Sequence, residues 1–355
     1  MKDKNRNMHE YRKIGVWQTA FIGDAVLTLP LLAALHQRHP EAEIHLWVRA
    51  GLEPLFAGQP GVHAVHGFDK RGTDRSLFSA MRLGRQIRAQ GFDLWISAHR
   101  SLRSALVARS TGIATRIGYD TPWFNRMAYT TTVSRRFDQL EEIERLHQLL
   151  APLGISLPAP QARLTLPQAE QDRAEKFWHE NGLVGDRVLG VHPGSTWPTK
   201  CWLPEYFAKI IRKAANHGIT VLVFGGPEET RLVADIIEKA GGTGRYVHNL
   251  AGRLSLVELA AAIGRLDACL TNDSGPMHLA WTQGVPLVSL FGPTVRKLGF
   301  FPRGEDSTVL EVELGCRPCG LHGPKRCPKR HHKCMKAITP DMVWDALAPL
   351  LDEEL

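Results

Sequence analysis

The chain has 355 residues, of which 43% are hydrophobic and 23% charged, with a formal net charge of +8, which is too long for one ordinary domain and suits two of about 150 residues each. Its longest apolar run, 25–35, contains Pro30 and is too short to cross a bilayer, and Asp24 interrupts the apolar stretch that begins near Ile14, against a signal peptide. Six cysteines, four of them clustered late, do not make a secreted disulfide scaffold, so a cytoplasmic protein is expected.

Residues 1–12 are polar and basic and read as a loose tail. Ile14 to Trp17 reads as the first strand and 18–23 as a loop. Asp24 opens a helix running to about Arg38, which Pro40 stops. Ile44 to Val48 and, more weakly, Val62 to Val65 read as strands. Residues 75–90 have helical spacing, with Leu77, Met81, Leu83 and Ile87 apolar. Leu94 to Ser97 is a strand, Ser101 to Arg109 a helix and Thr115 to Gly118 another strand. A Thr-rich loop then leads to a helix from about Asp138 to Leu150. Between Lys70 and Arg136 there are thirteen Lys or Arg against three acids, so this segment alone carries +10. Such a local field suits an anionic partner: a phosphorylated substrate, a membrane surface or nucleic acid. Arg82, Arg85 and Arg88 read as a solvated helix face, whereas Arg100 and Arg103 sit in a short loop just after a strand.

Residues 151–167 carry four prolines and little periodicity and read as a linker. A second series follows: strands at 188–191, 220–224, 246–249, 268–271 and 286–291, with helices at 204–217, 228–240, 255–263 and 277–283 between them. Strands alternating with helices imply parallel sheets covered on both faces. The expected fold is therefore α/β, two doubly wound domains. Ligands of such sheets lie beyond the carboxyl ends of the strands, and the cleft between two domains is the default site.

Two stretches of the second series carry phosphate-binding chemistry. In 270–280, LTNDSGPMHLA, a buried strand runs into four turn residues and a helix start. Ser274 fits the N-cap and Pro276 the first turn, where a missing N–H costs nothing. Backbone N–H groups and the helix dipole there suit a diphosphate, and Gly275 allows close approach. Asp273 cannot favour a phosphate and is assigned to sugar hydroxyls. An ordinary turn with a capping serine is the plainer alternative. In 191–202, VHPGSTWPTKCW, Gly194, Ser195 and Thr196 offer N–H and hydroxyl donors and Lys200 a mobile cation, without Walker spacing.

The stretch 20–30, AFIGDAVLTLP, resembles the N-terminal motif of the lipopolysaccharide heptosyltransferases, glycosyltransferase family 9. The 192–202 segment, GGPEE at 225–229 and NDSGPMHL at 272–279 resemble that family's other signatures, in its order and over nearly the whole chain. The resemblance implies the GT-B fold: an acceptor-binding Rossmann-like domain over 1–155, a nucleotide-sugar domain over 165–335 and a C-terminal helix over 336–355. It implies inverting transfer of heptose from ADP-L-glycero-β-D-manno-heptose to the lipopolysaccharide inner core, with peripheral contact at the inner membrane. Asp24 matches the proposed catalytic base; its plainer reading is a helix N-cap. Ser195, Thr196 and Lys200 match diphosphate positions, Glu229 a ribose contact, Asp273 the donor-sugar contact, and Ser274 and Gly275 further phosphate contacts. His278 lies one turn on, where a packed histidine is the plainer reading. Arg100 and Arg103 are the candidates for the acidic acceptor.

No D-x-D occurs, so no metal is expected at the diphosphate. Cys316, Cys319, Cys327 and Cys334, with His322, His331 and His332, raise the alternative of a structural zinc site. One C-x2-C with uneven spacing after it is only a moderate signal, and reduced thiols or an incidental disulfide are favoured over zinc. A family 9 transferase with another sugar or acceptor is the runner-up. A dinucleotide oxidoreductase lacks its G-x-G-x-x-G, and a nucleic-acid binder lacks a recognition helix or aromatic-interleaved basic strand.

Overall fold

The computed structural model describes residues 10–351. The first nine residues of the expected tail and the last four of the expected C-terminal helix lie outside the described residues. The chain divides into two compact units, Met1–Ala162 and Arg163–Leu355.

In the first unit β1 (Lys13–Gln18), α1 (Ile22–Val26), α2 (Leu29–Arg38), β2 (Glu43–Arg49), α3 (Glu53–Phe56), β3 (Val62–Phe68) and α4 (Leu77–Arg88) are followed by β4 (Leu94–Ser97), α5 (Leu102–Thr111), β5 (Thr115–Tyr119), α6 (Asn125–Ala128), β6 (Thr131–Val133) and α7 (Glu142–His147). All strands pair in parallel in the order β3-β2-β1-β4-β5-β6. The central strands are buried on both faces, which is why they read as continuous apolar runs. Trp17, Trp47, Phe68 and Trp95 pack as one aromatic cluster. Gly15 makes room for it, since a Cβ there would lie 2.4 Å from the Trp95 ring.

The second unit holds α8 (Gln168–Glu180), β7 (Val188–His192), α9 (Pro204–Asn216), β8 (Thr220–Val223), α10 (Thr230–Ala240), β9 (Val247–Asn249), α11 (Leu256–Ile263), β10 (Ala268–Asn272), α12 (Gly275–Thr282), β11 (Leu287–Phe291), β12 (Ser307–Glu311), α13 (Lys333–Lys336) and α14 (Pro340–Leu351). Its parallel sheet runs β12-β11-β10-β7-β8-β9. Read from the other edge this is the order of the first unit. In each, the strand order reverses beside the first strand, between β1 and β4 and between β7 and β10. Loops leaving the carboxyl ends of those four strands therefore splay apart and open a crevice. Asp24, Arg100, Lys200 and Asp273 follow β1, β4, β7 and β10 respectively.

One expected helix is two. The helix expected over 24–38 breaks at Leu27 and Thr28. Pro30 cannot donate to the carbonyl one turn back, so the chain restarts with Pro30 in the first turn of α2. The Thr28 hydroxyl donates to the Asp24 carbonyl at 2.9 Å and spans the break. Asp24 is consequently the third residue of α1, not an N-cap. The segment expected as linker is anchored at its end: Leu164 and Leu166 are buried, and the Leu164 N–H donates to the Thr282 carbonyl at 3.0 Å. Among the described residues no helix is long and apolar enough to cross a membrane.

Candidate functional site

In the second unit Asn272, the last residue of β10, ties the two motif stretches into one construction. It is fully buried, donates from Nδ2 to the Pro193 carbonyl at 2.8 Å, and accepts the Trp202 N–H at Oδ1 at 3.0 Å. The loop after β7 is thereby fixed at both ends beside the start of α12. Lys200 ends a 3-10 turn, Pro198–Lys200. Its Nζ lies 2.6 Å from Asp273 Oδ2, and the Thr294 hydroxyl donates to the same oxygen at 2.6 Å. Lys200 and Asp273 are only 8% and 6% exposed. The mobile cation expected at Lys200 is thus a held one, because a buried ammonium needs a counter-charge.

Ser274 occupies the N-cap position of α12 in extended backbone conformation, but its side chain does not cap. Its Oγ lies 3.2 Å from Thr271 Oγ1 instead. The first-turn N–H groups of α12, including that of Gly275, therefore retain the positive end of the helix for an anion. Ser195 is half-buried and its Oγ accepts the Trp197 N–H at 3.3 Å, while Thr196 is exposed. His278 is 4% exposed and its Nδ1 has no hydrogen-bond partner. Burial pushes its pKa down to about 4, with Lys200 adding and Asp273 opposing, so it is a neutral imidazole packed behind that pair.

Glu229 ends the 3-10 turn Pro227–Glu229 after β8. Its Oε2 accepts the Gly226 N–H at 2.8 Å and lies 3.5 Å from His192 Nε2. Gly194 is required for this arrangement: a Cβ there would fall 1.7 Å from Glu229 Oε1.

In the first unit Asp24 Oδ2 accepts the Phe21 N–H at 3.2 Å. Burial raises the Asp24 pKa to about 6, with the Glu142 carboxylate adding and Arg135 opposing. Cations surround this edge. Lys70 donates to the Thr19 carbonyl at 2.9 Å, and burial together with Arg49 lowers its pKa. His99 Nδ1 lies 3.2 Å from Thr19 Oγ1 and 3.1 Å from Ser104 Oγ. Burial, with Lys70, Arg100 and Arg103, pushes His99 down to about 4, so it too is neutral. Arg100 is exposed and Arg103 half-buried, at the end of β4 and in the first turn of α5. Beneath them Glu142 holds Arg135 and, at 3.0 Å, Arg145. Glu142 and Arg145 are buried, and the Tyr119 hydroxyl donates to the Arg145 carbonyl.

Sequence reasoning did not single out Lys70, His99, Arg135 or Glu142. His99 was legible, being next to Arg100 at a strand end. Glu142 was not, because only the packing of α7 on α2 brings it near Asp24. All six cysteines are free thiols. Cys316 Sγ is 3.9 Å from His331 Nε2, and the Cys319 thiol points at the Cys316 carbonyl at 3.3 Å.

The family model described as glycosyltransferase family 9 (heptosyltransferase) matches residues 80–328. Lipooligosaccharide heptosyltransferase 2 of Campylobacter jejuni subsp. jejuni serotype O:2 is 32% identical over 350 residues, 96% of this chain and 98% of its own length. Lipopolysaccharide heptosyltransferase 2 of Escherichia coli K12 is 28% identical over 96% of this chain and 99% of its own. Among solved structures, a family 9 glycosyl transferase from Veillonella parvula superposes with a TM-score of 0.86 at 25% identity, covering 97% of this chain and 98% of that one. The E. coli ADP-heptose LPS heptosyltransferase II shares the fold, with a TM-score of 0.78 at 24% identity over 96% and 99% of the two chains. The fold class is α/β of the GT-B type, with one doubly wound Rossmann-like sheet in each unit.

Proposed function

The chain belongs to glycosyltransferase family 9, the heptosyltransferases, and from that premise we propose that it moves L-glycero-D-manno-heptose from ADP-heptose to the inner core of lipopolysaccharide, with inversion. The observation that carries the reading is Asp24: a carboxylate at the carboxyl edge of a Rossmann-like sheet, with its pKa raised to about 6 and basic side chains around it. A base with a pKa near the working pH is the most effective kind. Asp24 takes the proton from the acceptor hydroxyl as the oxygen attacks the anomeric carbon, and the bond to the diphosphate breaks. Lys200, Ser195, Thr196 and the first turn of α12 at Ser274 and Gly275 take up the charge that develops on the leaving ADP. Asp273 Oδ1 binds donor-sugar hydroxyls, His278 supports it from the buried side, and Glu229 binds the ribose. Arg100 and Arg103 meet the acidic acceptor, which brings the protein to the cytoplasmic face of the inner membrane as a peripheral partner.

The reaction so drawn needs no metal, since Lys200 and the helix N-terminus supply the positive charge. Treatment with a strong chelator is expected to leave the transfer rate unchanged; loss of activity in a folded protein, restored by zinc, would overturn this. The deciding experiment is transfer in vitro from ADP-heptose to truncated lipopolysaccharide acceptors that lack or carry the first heptose. Product on one of them supports the reading. Donor hydrolysis without product on either points to a family 9 transferase with another acceptor.

A further inference from the structure

The opposite end of the first sheet carries a second cluster of chemistry. Lys13, Glu43 and Val62 begin β1, β2 and β3, so this is the amino-terminal edge, away from Asp24. The ladder between β2 and edge strand β3 is irregular there: Ile44 pairs with Val62, but His45 pairs with Ala64. His63 is the extra residue, and such a bulge re-aims its side chain. The His63 ring lies beside that of His45, centroids 5.2 Å apart.

His45 is held rigidly. It is 7% exposed, its ring near-parallel to that of His66 with centroids 5.2 Å apart, and edge-on to Phe92. Its Nδ1 lies 2.9 Å from His66 Nε2. An Nδ1–H given to His66 leaves the Nε2 lone pair of His45 outward, the arrangement that orients a metal-binding imidazole. That Nε2 has no hydrogen-bond partner and faces Glu43, whose Oε2 is 3.7 Å away. A buried nitrogen without a partner is costly and calls for one.

From this geometry we infer that Glu43, His45 and His63 form a binding site for a divalent transition-metal ion, zinc being the best match. Each offers one ligand atom, and these atoms lie within 4.8 Å of one another. Two imidazoles and a carboxylate are zinc chemistry, with bonds of about 2.0–2.2 Å and so about 3.3 Å between ligand atoms. Closing the remaining gap takes only rotation of Glu43 and His63, since His63 is exposed and the Glu43 side chain 46% exposed. Bound there, the ion staples edge strand β3 to β2. Its competitor is Lys13, whose Nζ lies 3.2 Å from Glu43 Oε2 and which must swing aside.

Cobalt(II) is the probe, because thiolate ligation to the late cysteines gives sulfur-to-cobalt charge-transfer absorption and imidazole–carboxylate ligation does not. The full chain is titrated, along with His63→Ala, Glu43→Gln and Lys13→Gln, all at positions outside the core. Wild type is expected to take up one equivalent that shows d–d bands without charge transfer. His63→Ala and Glu43→Gln should weaken that equivalent by about 10–100-fold or more, leaving any thiolate signal untouched. Lys13→Gln should tighten it by about five- to tenfold, the effect of one removed charge at close range in a half-exposed setting. Superimposable isotherms for wild type and His63→Ala, or tighter binding absent in Lys13→Gln, would overturn the site.

Discussion

Asp24, the proposed base, also carries a stability signature. Its pKa is raised from 3.8 to about 6 by burial, so the folded protein holds this proton more tightly than the unfolded chain. The ionised carboxylate therefore costs stability: the cost is absent below about pH 4, grows as pH rises, and is complete above about pH 6, where it reaches about 3 kcal/mol. Asp24→Asn keeps the acceptor for the Phe21 N–H and removes the charge. The variant should melt higher than wild type at pH 7.5, and the difference should shrink toward pH 4. Its kcat should fall by about 10²–10⁴-fold, and wild-type kcat/KM should decline below about pH 6. A variant that keeps more than about a tenth of the rate would make Asp24 a helix-turn acceptor and not the base. Lys200 needs a different design, because it is half of a buried pair with Asp273. Lys200→Ala strands a buried carboxylate, which typically costs about 3–5 kcal/mol. Adding Asp273→Asn should recover part of that stability while ADP affinity, read by calorimetry, stays low. A double variant less stable than Lys200→Ala would show that the two side chains do not act as a pair.

At the scale of elements, what was legible was what the core dictates. β1, β4, β7, β8, β10 and β11 are buried on both faces, and their apolar runs announced them. The unread elements have weak or one-sided burial. In α8 only Ala174 and Trp178 are buried, a stripe too narrow to stand out in a polar sequence. β12 is half-buried throughout, as an edge strand is. α14, by contrast, is the C-terminal helix that the family resemblance implied, and it buries Val343, Trp344, Leu347 and Leu351 in the core of the second unit. The loops behaved likewise: their position after β7 and β10 followed from strand order, while the contact between Gly194 and Glu229 did not. That contact is testable as a coupling between two elements. Gly194→Ala should destabilise by about 1–3 kcal/mol, the usual cost of overpacking, and weaken ADP binding. In a Glu229→Ala background the same substitution should cost clearly less, because the oxygen it meets is gone. Equal penalties in both backgrounds would mean that the backbone at 194, not the Glu229 carboxylate, resists the side chain.

Over the whole molecule the charge is more local than its sum suggests. The segment Lys70–Arg136 carries +10, but the fold spends part of it. Arg116 is buried and donates to the Ala128 carbonyl, and Arg135 is taken up by Glu142. Arg82, Arg85 and Arg88 are exposed along α4, the solvated face their spacing announced. Among the rest, Lys70, Arg100 and Arg103 act together on His99 at the carboxyl edge of the sheet. A composition count could not make this partition, since it depends on which arginines the core needs. The two groups can be set against each other at constant net charge. Arg100→Glu with Arg103→Glu, and Arg82→Glu with Arg85→Glu, change the total by the same amount. If the edge group binds the anionic acceptor, the first pair should raise the acceptor KM by at least about tenfold and leave the donor KM unchanged. The second pair acts only through the long-range field, which is screened beyond about 8 Å at physiological salt. Its effect should therefore be small and should vanish as salt is raised, whereas the first should persist. A rise in donor KM in the first pair would reverse the roles assigned to the two units, and equal effects from both pairs would reduce the basic segment to a general attraction with no acceptor site at Arg100 and Arg103.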